Sequence, residues 1–286
     1  MNHTVGLLHP GSMGAAIGAQ LRHQGHTVLW CPDGRSDTSH QRAADAGLDP
    51  APLPEVISRS DFLLSVCPPD AAEAVADQIA DNLENSTTTI YVEANAVAPT
   101  RVQRIADCLA PVPVVDAAVI GSPPTGGKHP TLYLSGPRPQ TDQIGELFMG
   151  TDVRTHVLGE ELGMASALKL AYSSYQKVSR VLAALSYGAA DAYGVADELL
   201  AVAAKRSGSY LLETNYIPKT AARAWRWRPE LDDSAALLAD AGLPASLMHA
   251  AAATLSLWEN SKDTSLDVPK ALDALRGGHA DGPPDN

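Results

Sequence analysis

A turn near the start of the chain has the residue types and spacing of a dinucleotide-binding site. It consists of His9, Pro10, Gly11, Ser12, Met13 and Gly14. The usual fingerprint is G-x-G-x-x-G between a strand and a helix; Gly11 and Gly14 take its second and third positions, and His9 replaces its first glycine. Gly11 would let the backbone approach a pyrophosphate, Gly14 would let the helix pack on the strand, and the helix N-terminus would bind the phosphates. We predict a dinucleotide site here; the alternative is a helix start without a ligand.

The loop after the second apolar run bears on the choice between NADP(H) and NAD(H). NAD enzymes place an acid there for the ribose 2′-hydroxyl, whereas NADP enzymes use an arginine for the 2′-phosphate. Asp33 would suit NAD(H), and Arg35 with Ser36 would suit NADP(H). We favour NADP(H), because Asp33 lies between a proline and a glycine, where an aspartate commonly starts a turn.

A long helical stretch from Glu161 to Tyr193 carries a polar stripe with a candidate acid/base. At 100° per residue the stripe is about 100° wide, and it contains Lys169, Ser173, Gln176, Lys177 and Arg180. Partial burial lowers the pKa of a lysine and suits it to protonate a developing alkoxide. We predict that the stripe lines a cleft, with Lys169 as general acid/base, Ser173 beside it in the catalytic group, and Lys177 as a substrate contact. The alternative is a solvated helix face.

Other polar and aromatic side chains are candidates for the same site. Asn95 can hydrogen-bond a carboxamide or a substrate, although an asparagine here could instead cap a turn. Ser122 offers a hydroxyl group beside Gly121. Tyr172 and Trp225 are candidate pocket walls, with core packing as the alternative.

The elements that would position these residues alternate between apolar runs and helical stretches over the first 157 residues. The predicted strands are Val5–Leu8, Thr27–Cys31, Asp61–Val66, Thr88–Val92, Val112–Asp116, Thr131–Leu134 and Val153–Val157. The predicted helices between them are Ser12–Gln24, Ser36–Ala46, Ala71–Asn82 and Pro99–Leu109. Apolar strands alternating with helices indicate an α/β domain with a doubly wound parallel sheet.

The pattern becomes entirely helical after the long stretch. Four further helices are predicted at Ala196–Arg206, Pro218–Trp227, Ser234–Ala241 and Ala245–Trp258. We therefore expect a Rossmann domain over residues 1–158, an all-α domain over residues 159–276 joined to it by the long helix, and a disordered tail over residues 277–286.

Composition narrows the class of partner. The 286 residues carry a net charge of −12, which disfavours nucleic acid and anionic membranes as partners. The chain has neither an apolar run near the ~20 residues of a membrane span nor a signal-peptide start. Its cysteines, Cys31, Cys67 and Cys108, lie in apolar segments and are expected to be buried thiols, which fits a cytoplasmic protein. A His23/His26 pair lacks a third ligand at metal spacing, so we expect no metal.

Five stretches together resemble the β-hydroxyacid dehydrogenase superfamily, which includes 3-hydroxyisobutyrate and 6-phosphogluconate dehydrogenases. They are Gly11–Gly14, Ser65–Pro68, Glu93–Pro99, Asp116–Ser122 and Gly163–Ser173. The resemblance covers nearly the whole chain. It is closest to a branch whose helical C-terminal domain has no assigned function, and the Trp225–Trp227 stretch looks like part of that branch.

This resemblance implies roles for particular residues. Cys67 and Pro68 would line the adenosine side of the cofactor, Asn95 would lie beside the nicotinamide, and Gly121 with Ser122 would clamp the substrate. Lys169 matches the catalytic lysine of the family. The resemblance also implies a homodimer through the helical domain.

The same resemblance shows departures from the family pattern. Ile120 replaces a substrate-binding serine and Ser173 replaces an asparagine that orients substrate, so the substrate need not be the usual 3-hydroxy acid. We expect an NADP-dependent oxidoreductase acting on a small carbonyl or hydroxy compound. The alternatives are an imine reductase on the same scaffold, which would usually lack the lysine, and a non-catalytic NADP-binding protein.

Overall fold

The computed structural model describes residues 2–83, 89–192, 194–205, 213–240 and 245–276. The chain forms two compact units, residues 1–170 and 171–286. The predicted tail, residues 277–286, lies outside the described residues. The division between the units falls after Leu170, within the long helix, whereas the sequence places the domain boundary at residue 158, before that helix begins.

The first unit contains an eight-stranded sheet. Its strands are β1 (Thr4–Leu7), β2 (Thr27–Trp30), β3 (Asp49–Pro50), β4 (Phe62–Ser65), β5 (Ile90–Glu93), β6 (Val114–Ile120), β7 (Thr131–Ser135) and β8 (Arg154–Gly159). Their order in the sheet is β3-β2-β1-β4-β5-β6-β7-β8. The predicted strands are present with small shifts at their ends, β6 runs further than expected, and the two-residue β3 was not predicted.

The strand directions confirm a doubly wound sheet, with one correction. All neighbouring strands are parallel except β6 and β7, which pair antiparallel. The prediction of a purely parallel sheet is therefore wrong for this pair. Residues 121–130 connect the two strands without a helix, and a parallel pair needs a crossover of about a dozen residues or more.

Helices cover both faces of the sheet. They are α1 (Ser12–His23), α2 (Asp37–Asp45), α3 (Leu53–Arg59), α4 (Ala72–Ala80), α5 (Pro99–Leu109) and α6 (Arg138–Leu147). One core cluster includes Ile17, Ala43 and Ile144, from α1, α2 and α6. The cluster on the other face includes Val56, Ile79 and Ile105, from α3, α4 and α5. Buried apolar side chains on both faces explain why the strands have continuous apolar runs.

Two of these helices, α3 and α6, were not predicted. Each has a proline in its first turn. A proline there has no N–H to satisfy and its backbone angle is already helical, so it favours a helix start. Proline is also common in loops, so the sequence alone does not distinguish these helix starts from connections.

The expectation of three buried thiols is only partly met. Cys31 is buried, Cys67 is half-buried and Cys108 is exposed. The prediction is wrong for Cys108, because α5 places it on the outer face, where its Sγ donates to Asp77 Oδ1 at 3.3 Å.

The second unit is helical. The long helix α7 (Met164–Ala192) begins in the first unit, and α8 (Ala196–Ala203), α9 (Ile217–Asp240), α10 (Ser246–Ser256) and α11 (Val268–Leu275) follow. The core of the unit includes Leu231, Met248 and Leu255. Trp258 is fully buried, and its Nε1 donates to the Ala271 carbonyl at 2.7 Å, which ties α11 to the end of α10.

The helix α9 corrects the prediction of two helices at Pro218–Trp227 and Ser234–Ala241. It runs through Pro229 without a break. The proline removes one backbone hydrogen bond, but Ala224 and Leu231 on either side of it are both fully buried in the same core. This packing keeps the segment as one helix.

Across the part of the chain that the structure describes, none of the helices has both the length and the hydropathy needed to cross a bilayer.

Candidate functional site

The carboxyl ends of four parallel strands define the candidate site in the first unit. From β1 the chain moves to β2 and β3 on one side, and then returns to β4 on the other side of β1. Ligands of open α/β sheets bind in the crevice where the strand order reverses in this way. The loops after β1, β4, β5 and β6 contain most of the predicted site residues.

The first of these loops is the predicted dinucleotide turn. A Cβ atom on Gly14 would lie 2.4 Å from the His9 carbonyl oxygen, so the close approach of α1 to this turn requires glycine at position 14. A Cβ atom on Gly11 would meet only the His9 ring, at 3.4 Å. Gly11 precedes α1 and provides no capping side chain, and among the described residues the first turn of α1 has no acid. Its backbone N–H groups are therefore suited to bind an anion.

A cavity lies beside this turn. Its volume is about 240 Å³, and its lining residues are Leu8, Cys31, Asp33, Arg35, Leu53, Val75, Gln78 and Ile79. The wall is mainly apolar, with Asp33 and Arg35 as its charged members. This combination of apolar walls and a few polar groups is typical of small-molecule sites.

Arg35 and Ser36 lie where the sequence places a phosphate cradle. The Arg35 Nη2 donates to the Leu8 carbonyl at 3.0 Å, which fixes the guanidinium beside the first turn. Its buried Nε has no partner among the described residues. Ser36 caps α2, because its side chain accepts from the Ser39 N–H at 3.3 Å. Asp33, the candidate for NAD(H), is exposed.

Asn95 joins the loops after β4 and β5. Its Oδ1 accepts from the Cys67 N–H at 2.6 Å, and its Nδ2 donates to Ser65 Oγ at 2.9 Å. The side chain is 3% exposed. The structure thus gives Asn95 an internal role in shaping the loop of Cys67 and Pro68; its predicted contact with a nicotinamide stays a prediction.

Two buried carboxyl groups that sequence reasoning did not single out as site residues lie behind this loop. Glu93 and Asp116 face each other in the register of β5 and β6, and neither has any exposed surface. Burial raises the pKa of Glu93 to about 7, with a further contribution from the nearby Asp116. Its Oε1 accepts from the Asn95 N–H at 3.1 Å. Glu93 therefore supports the backbone that carries Asn95.

The contribution of Glu93 to stability is expected to fall as the pH rises from about 4.5 to about 7, because the folded protein keeps a proton on Glu93 that the unfolded chain loses near its ordinary pKa of 4.5. A folded state that binds more protons is favoured at the lower pH. The Glu93→Gln variant should lose this dependence, as measured by urea denaturation across the window. The exposed Glu146→Gln serves as control, and a pH slope unchanged by Glu93→Gln would contradict the assignment.

Asp116 anchors the start of α7. Its Oδ2 accepts from the Ser166 N–H at 3.0 Å and from Ser135 Oγ at 3.1 Å, and its Oδ1 accepts from Ser166 Oγ at 2.6 Å. A carboxylate that accepts backbone N–H groups stabilises a helix N-terminus. This anchor fixes the turn of α7 from which Lys169 extends.

Lys169 lies at the same edge of the sheet as the dinucleotide turn. Its Nζ donates to the Val119 carbonyl at 2.7 Å, near the carboxyl end of β6, and the side chain is half-buried. The predicted substrate loop follows directly. Gly121 has a φ of +131°, and a Cβ atom there would come within 2.9 Å of Pro130 Cα, so glycine is required. Ser122 is exposed.

The remaining predicted site residues, Tyr172, Ser173, Lys177 and Trp225, belong to the second unit. Ser173 is buried at 3% exposure, whereas Tyr172 is 45% exposed. Trp225 is 37% exposed, and the Lys262 ammonium lies 4.1 Å from the centre of its ring. Their predicted contacts with a substrate stay predictions.

Lys177 forms a buried ion pair with Glu230, with side-chain exposures of 8% and 5%. Arg226 approaches the other carboxylate oxygen of Glu230 at 3.9 Å, one helical turn away. Sequence reasoning missed Glu230, because only the fold brings it to Lys177. The pair gives Lys177 a role within the helical unit, and its predicted substrate contact is untested.

Two family models match parts of the chain. Residues 1–109 match the acetohydroxy acid isomeroreductase, NADPH-binding domain, and residues 190–258 match a domain of unknown function, DUF1932. The first match covers the turn, the cavity and Asn95, and it supports NADP(H) as the nucleotide. The second falls in the helical unit.

Three similar proteins match larger parts of the chain. An uncharacterized 28.5 kDa protein of Methanothermus fervidus is 27% identical over 187 residues, which are 65% of this chain and 70% of that protein. A 3-hydroxyisobutyrate dehydrogenase of Mycobacterium tuberculosis with L-serine has a TM-score of 0.74 and 18% identity, covering 96% of this chain and 100% of that one. A reductive aminase of Aspergillus terreus with NADPH and ethyl levulinate has a TM-score of 0.55 and 18% identity, over the same shares.

The fold and the arrangement of the site define the class: the chain has a β-hydroxyacid dehydrogenase-like fold, with a Rossmann domain followed by a helical region. More particularly, its N-terminal part matches the model of an NADPH-binding domain, and part of its helical region matches the DUF1932 model. The resemblance inferred from the sequence motifs is confirmed at the level of the fold.

Proposed function

We propose that the chain is an NADP(H)-dependent oxidoreductase that transfers hydride between the nicotinamide and a small carbonyl or hydroxy compound, with Lys169 as general acid/base. The observation that carries the proposal is the position of Lys169. Its Nζ, 2.7 Å from the Val119 carbonyl, lies at the edge of the sheet that also holds the dinucleotide turn and Arg35.

The residues present fit NADP(H). The uncapped start of α1 after Gly11 would hold the pyrophosphate, and Arg35 would hold the 2′-phosphate. The buried Nε of Arg35 and Nδ1 of His9 have no partners among the described residues, as expected of groups that complete their hydrogen bonds with a ligand. When bound, the nicotinamide supplies or accepts the hydride.

The role of Lys169 follows from the proton that hydride transfer requires. A carbonyl oxygen that gains a hydride at its carbon becomes an alkoxide, and a positioned ammonium group can protonate it. The Val119 carbonyl accepts one of the three N–H donors of Lys169 and so orients the group. In the oxidation direction the neutral amine would remove the proton from the hydroxyl group.

A paired titration with NADPH and NADH tests the cofactor assignment. We expect NADPH to bind at least about tenfold more tightly, a difference of ~1.4 kcal/mol, as followed by energy transfer from tryptophan to the nicotinamide. The reverse preference would favour Asp33 and NAD(H). Binding of neither nucleotide would contradict the proposal, and a protein that binds NADPH but turns over no substrate would be a non-catalytic NADP-binding protein.

Replacement of Arg35 by alanine is expected to weaken NADPH binding about tenfold or more while changing NADH binding little, because a charge-assisted hydrogen bond to the 2′-phosphate contributes ~1.5–3 kcal/mol. The same titration measures both. Arg59→Ala is the matched control, since Arg59 is exposed on α3 and pairs with Glu55. Equal losses for the two nucleotides would remove Arg35 from the 2′-phosphate site.

Imine reduction is the second candidate activity. The fold similarity to a reductive aminase supports it, whereas Lys169 supports reduction of C=O. A panel of ketones, hydroxy acids and cyclic imines with NADPH distinguishes the two.

The proposal also includes a homodimer in the cytoplasm. Exposed apolar side chains in the helical unit, including Tyr175, Val202 and Leu257, support a subunit interface there. Light scattering at several protein concentrations tests the dimer.

A further inference from the structure

Two buried nitrogen atoms beside the dinucleotide turn have no hydrogen-bond partner among the described residues. One is Nδ1 of His9 and the other is Nε of Arg35. Buried polar atoms are nearly always paired, so an unpaired one needs an explanation, such as a ligand that completes the pairing. The two residues are close in space, because the Arg35 guanidinium donates to the carbonyl of Leu8, which directly precedes His9 in the chain.

The charges around His9 are positive. Arg35, in the loop after β2, and Arg42, on α2, both act electrostatically on the imidazole ring. Asp33 lines the cavity that Arg35 also lines, but it is exposed. His9 is half-buried, and both arginines disfavour the charged form of its ring. A dianion in this position would complete the hydrogen bonding of His9 Nδ1 and Arg35 Nε, and it would attract Arg42.

We propose that His9 is a third residue of the 2′-phosphate site, which takes up a proton when the 2′-phosphate of NADP(H) binds beside Arg35 and Arg42. The inference rests on the proposed NADP(H) dependence and deepens it. It gives a function to the residue by which this chain departs from the glycine of the usual fingerprint.

The electrostatics around His9 agree with this role. Burial, and to a smaller extent the positive charges of Arg35 and Arg42, together lower the pKa of His9 to about 4. The ring is therefore neutral at pH 6–7 in the free protein. A phosphate dianion nearby favours the charged form and raises the pKa by roughly 1–3 units. Binding of NADP(H) should then be linked to proton uptake by His9. The affinity for NADP(H) should increase as the pH falls toward the range between the pKa of His9 in the free protein and its pKa in the complex.

Isothermal titration of the full chain with NADP⁺ at pH 5.5, in two buffers of different ionisation enthalpy, measures the protons taken up. The phosphate itself has a pKa near ~6 and releases protons when it binds as a dianion, so the wild type is compared with His9→Ala. We expect the wild type to take up roughly 0.2–0.9 more proton per NADP⁺ than the variant, from a pKa shift of roughly 1–3 units. With NAD⁺ the two proteins should differ little.

Two further variants separate charge from folding. His9→Asn retains hydrogen-bonding groups but cannot carry the proton, and it should bind NADP⁺ without the additional uptake. His23 is exposed at the last residue of α1, and the control variant His23→Ala should behave as wild type. The ratio of the NADP⁺ dissociation constants of His9→Asn and wild type should rise from pH 7.5 to pH 5.5, by about 4-fold for a pKa shift of roughly 2 units and by up to about 24-fold for a shift of roughly 3 units.

The failure of this inference is distinct from failure of the proposed function. Wild-type protein that binds NADP⁺ with the same proton balance as both His9 variants would overturn the role of His9 and leave NADP(H) dependence standing. Equal additional uptake with NADP⁺ and NAD⁺ would also overturn the 2′-phosphate assignment. Wild-type protein that binds neither nucleotide would overturn the proposed function, and this inference with it.

Discussion

Replacement of Lys169 by alanine is expected to lower kcat by about 10²–10⁴-fold, the usual contribution of a general acid or base, while NADPH affinity changes little. The physical reason is that the alkoxide formed by hydride transfer loses its proton donor. The nucleotide contacts proposed for the α1 turn and Arg35 are left intact. Steady-state kinetics on a carbonyl substrate that supports wild-type turnover, together with the NADPH titration, measures both effects.

Two further variants sharpen this test. Lys169→Arg keeps the positive charge, but a guanidinium does not release its proton at neutral pH, so turnover should remain low. Lys270→Ala is the matched control, because Lys270 is an exposed lysine on α11 that pairs with Asp267. Full turnover by Lys169→Ala would exclude the acid/base role, and loss of NADPH binding in this variant would instead indicate a contact with the cofactor.

Replacement of Lys177 by alanine is expected to lower the free energy of unfolding of the helical unit by about 3–5 kcal/mol. The variant leaves the carboxylate of Glu230 buried, at 5% exposure, and among the described residues Arg226, at 3.9 Å, is the remaining cation that the structure pairs with it. Urea denaturation followed by tryptophan fluorescence is a suitable measurement, because three of the four tryptophans, Trp225, Trp227 and Trp258, lie in this unit.

The double variant Lys177→Met/Glu230→Leu removes both charges, whereas Lys177→Ala leaves the charge of Glu230 without Lys177. Comparison of the two separates the effect of an unpaired buried charge from the effect of losing the ion pair as a whole. Removal of both charges should recover much of the stability, since a buried ion pair and an apolar pair of similar volume are often close in free energy. Lys270→Ala, which breaks the exposed pair with Asp267, should cost less than about 1 kcal/mol. If Lys177→Ala also lowered the free energy of unfolding by less than about 1 kcal/mol, Glu230 would not be left as an unpaired buried charge, and the prediction would be wrong.

Local patterns predicted seven of the eight strands and four of the six helices of the sheet domain, because a doubly wound domain repeats short apolar strands and amphipathic helices. They failed where the information is not local. The direction of β7 depends on the absence of a crossover helix in residues 121–130, and the continuity of α9 through Pro229 depends on the core that α9 packs into.

The candidate site shows the same limit. The turn at Gly11 and Gly14 and the lysine at 169 could be predicted from residue types and spacing. Their partners could not, because the chain separates them: Lys169 and the Val119 carbonyl are 50 residues apart. Glu93 appeared only as a motif position, and its full burial and raised pKa follow from the packing of β5 between β4 and β6.

Glycine is required for different reasons at the two positions of the dinucleotide turn, Gly11 and Gly14. Gly14 has a protein atom 2.4 Å from the position of its missing Cβ, whereas Gly11 has only the edge of the His9 ring, at 3.4 Å. Selection for folding alone would therefore preserve Gly14 and leave Gly11 free to change. Selection for nucleotide binding would preserve both. A descendant of this protein that had abandoned its cofactor would lose Gly11 first, so the order in which the two positions diverge records whether a lineage still binds the nucleotide.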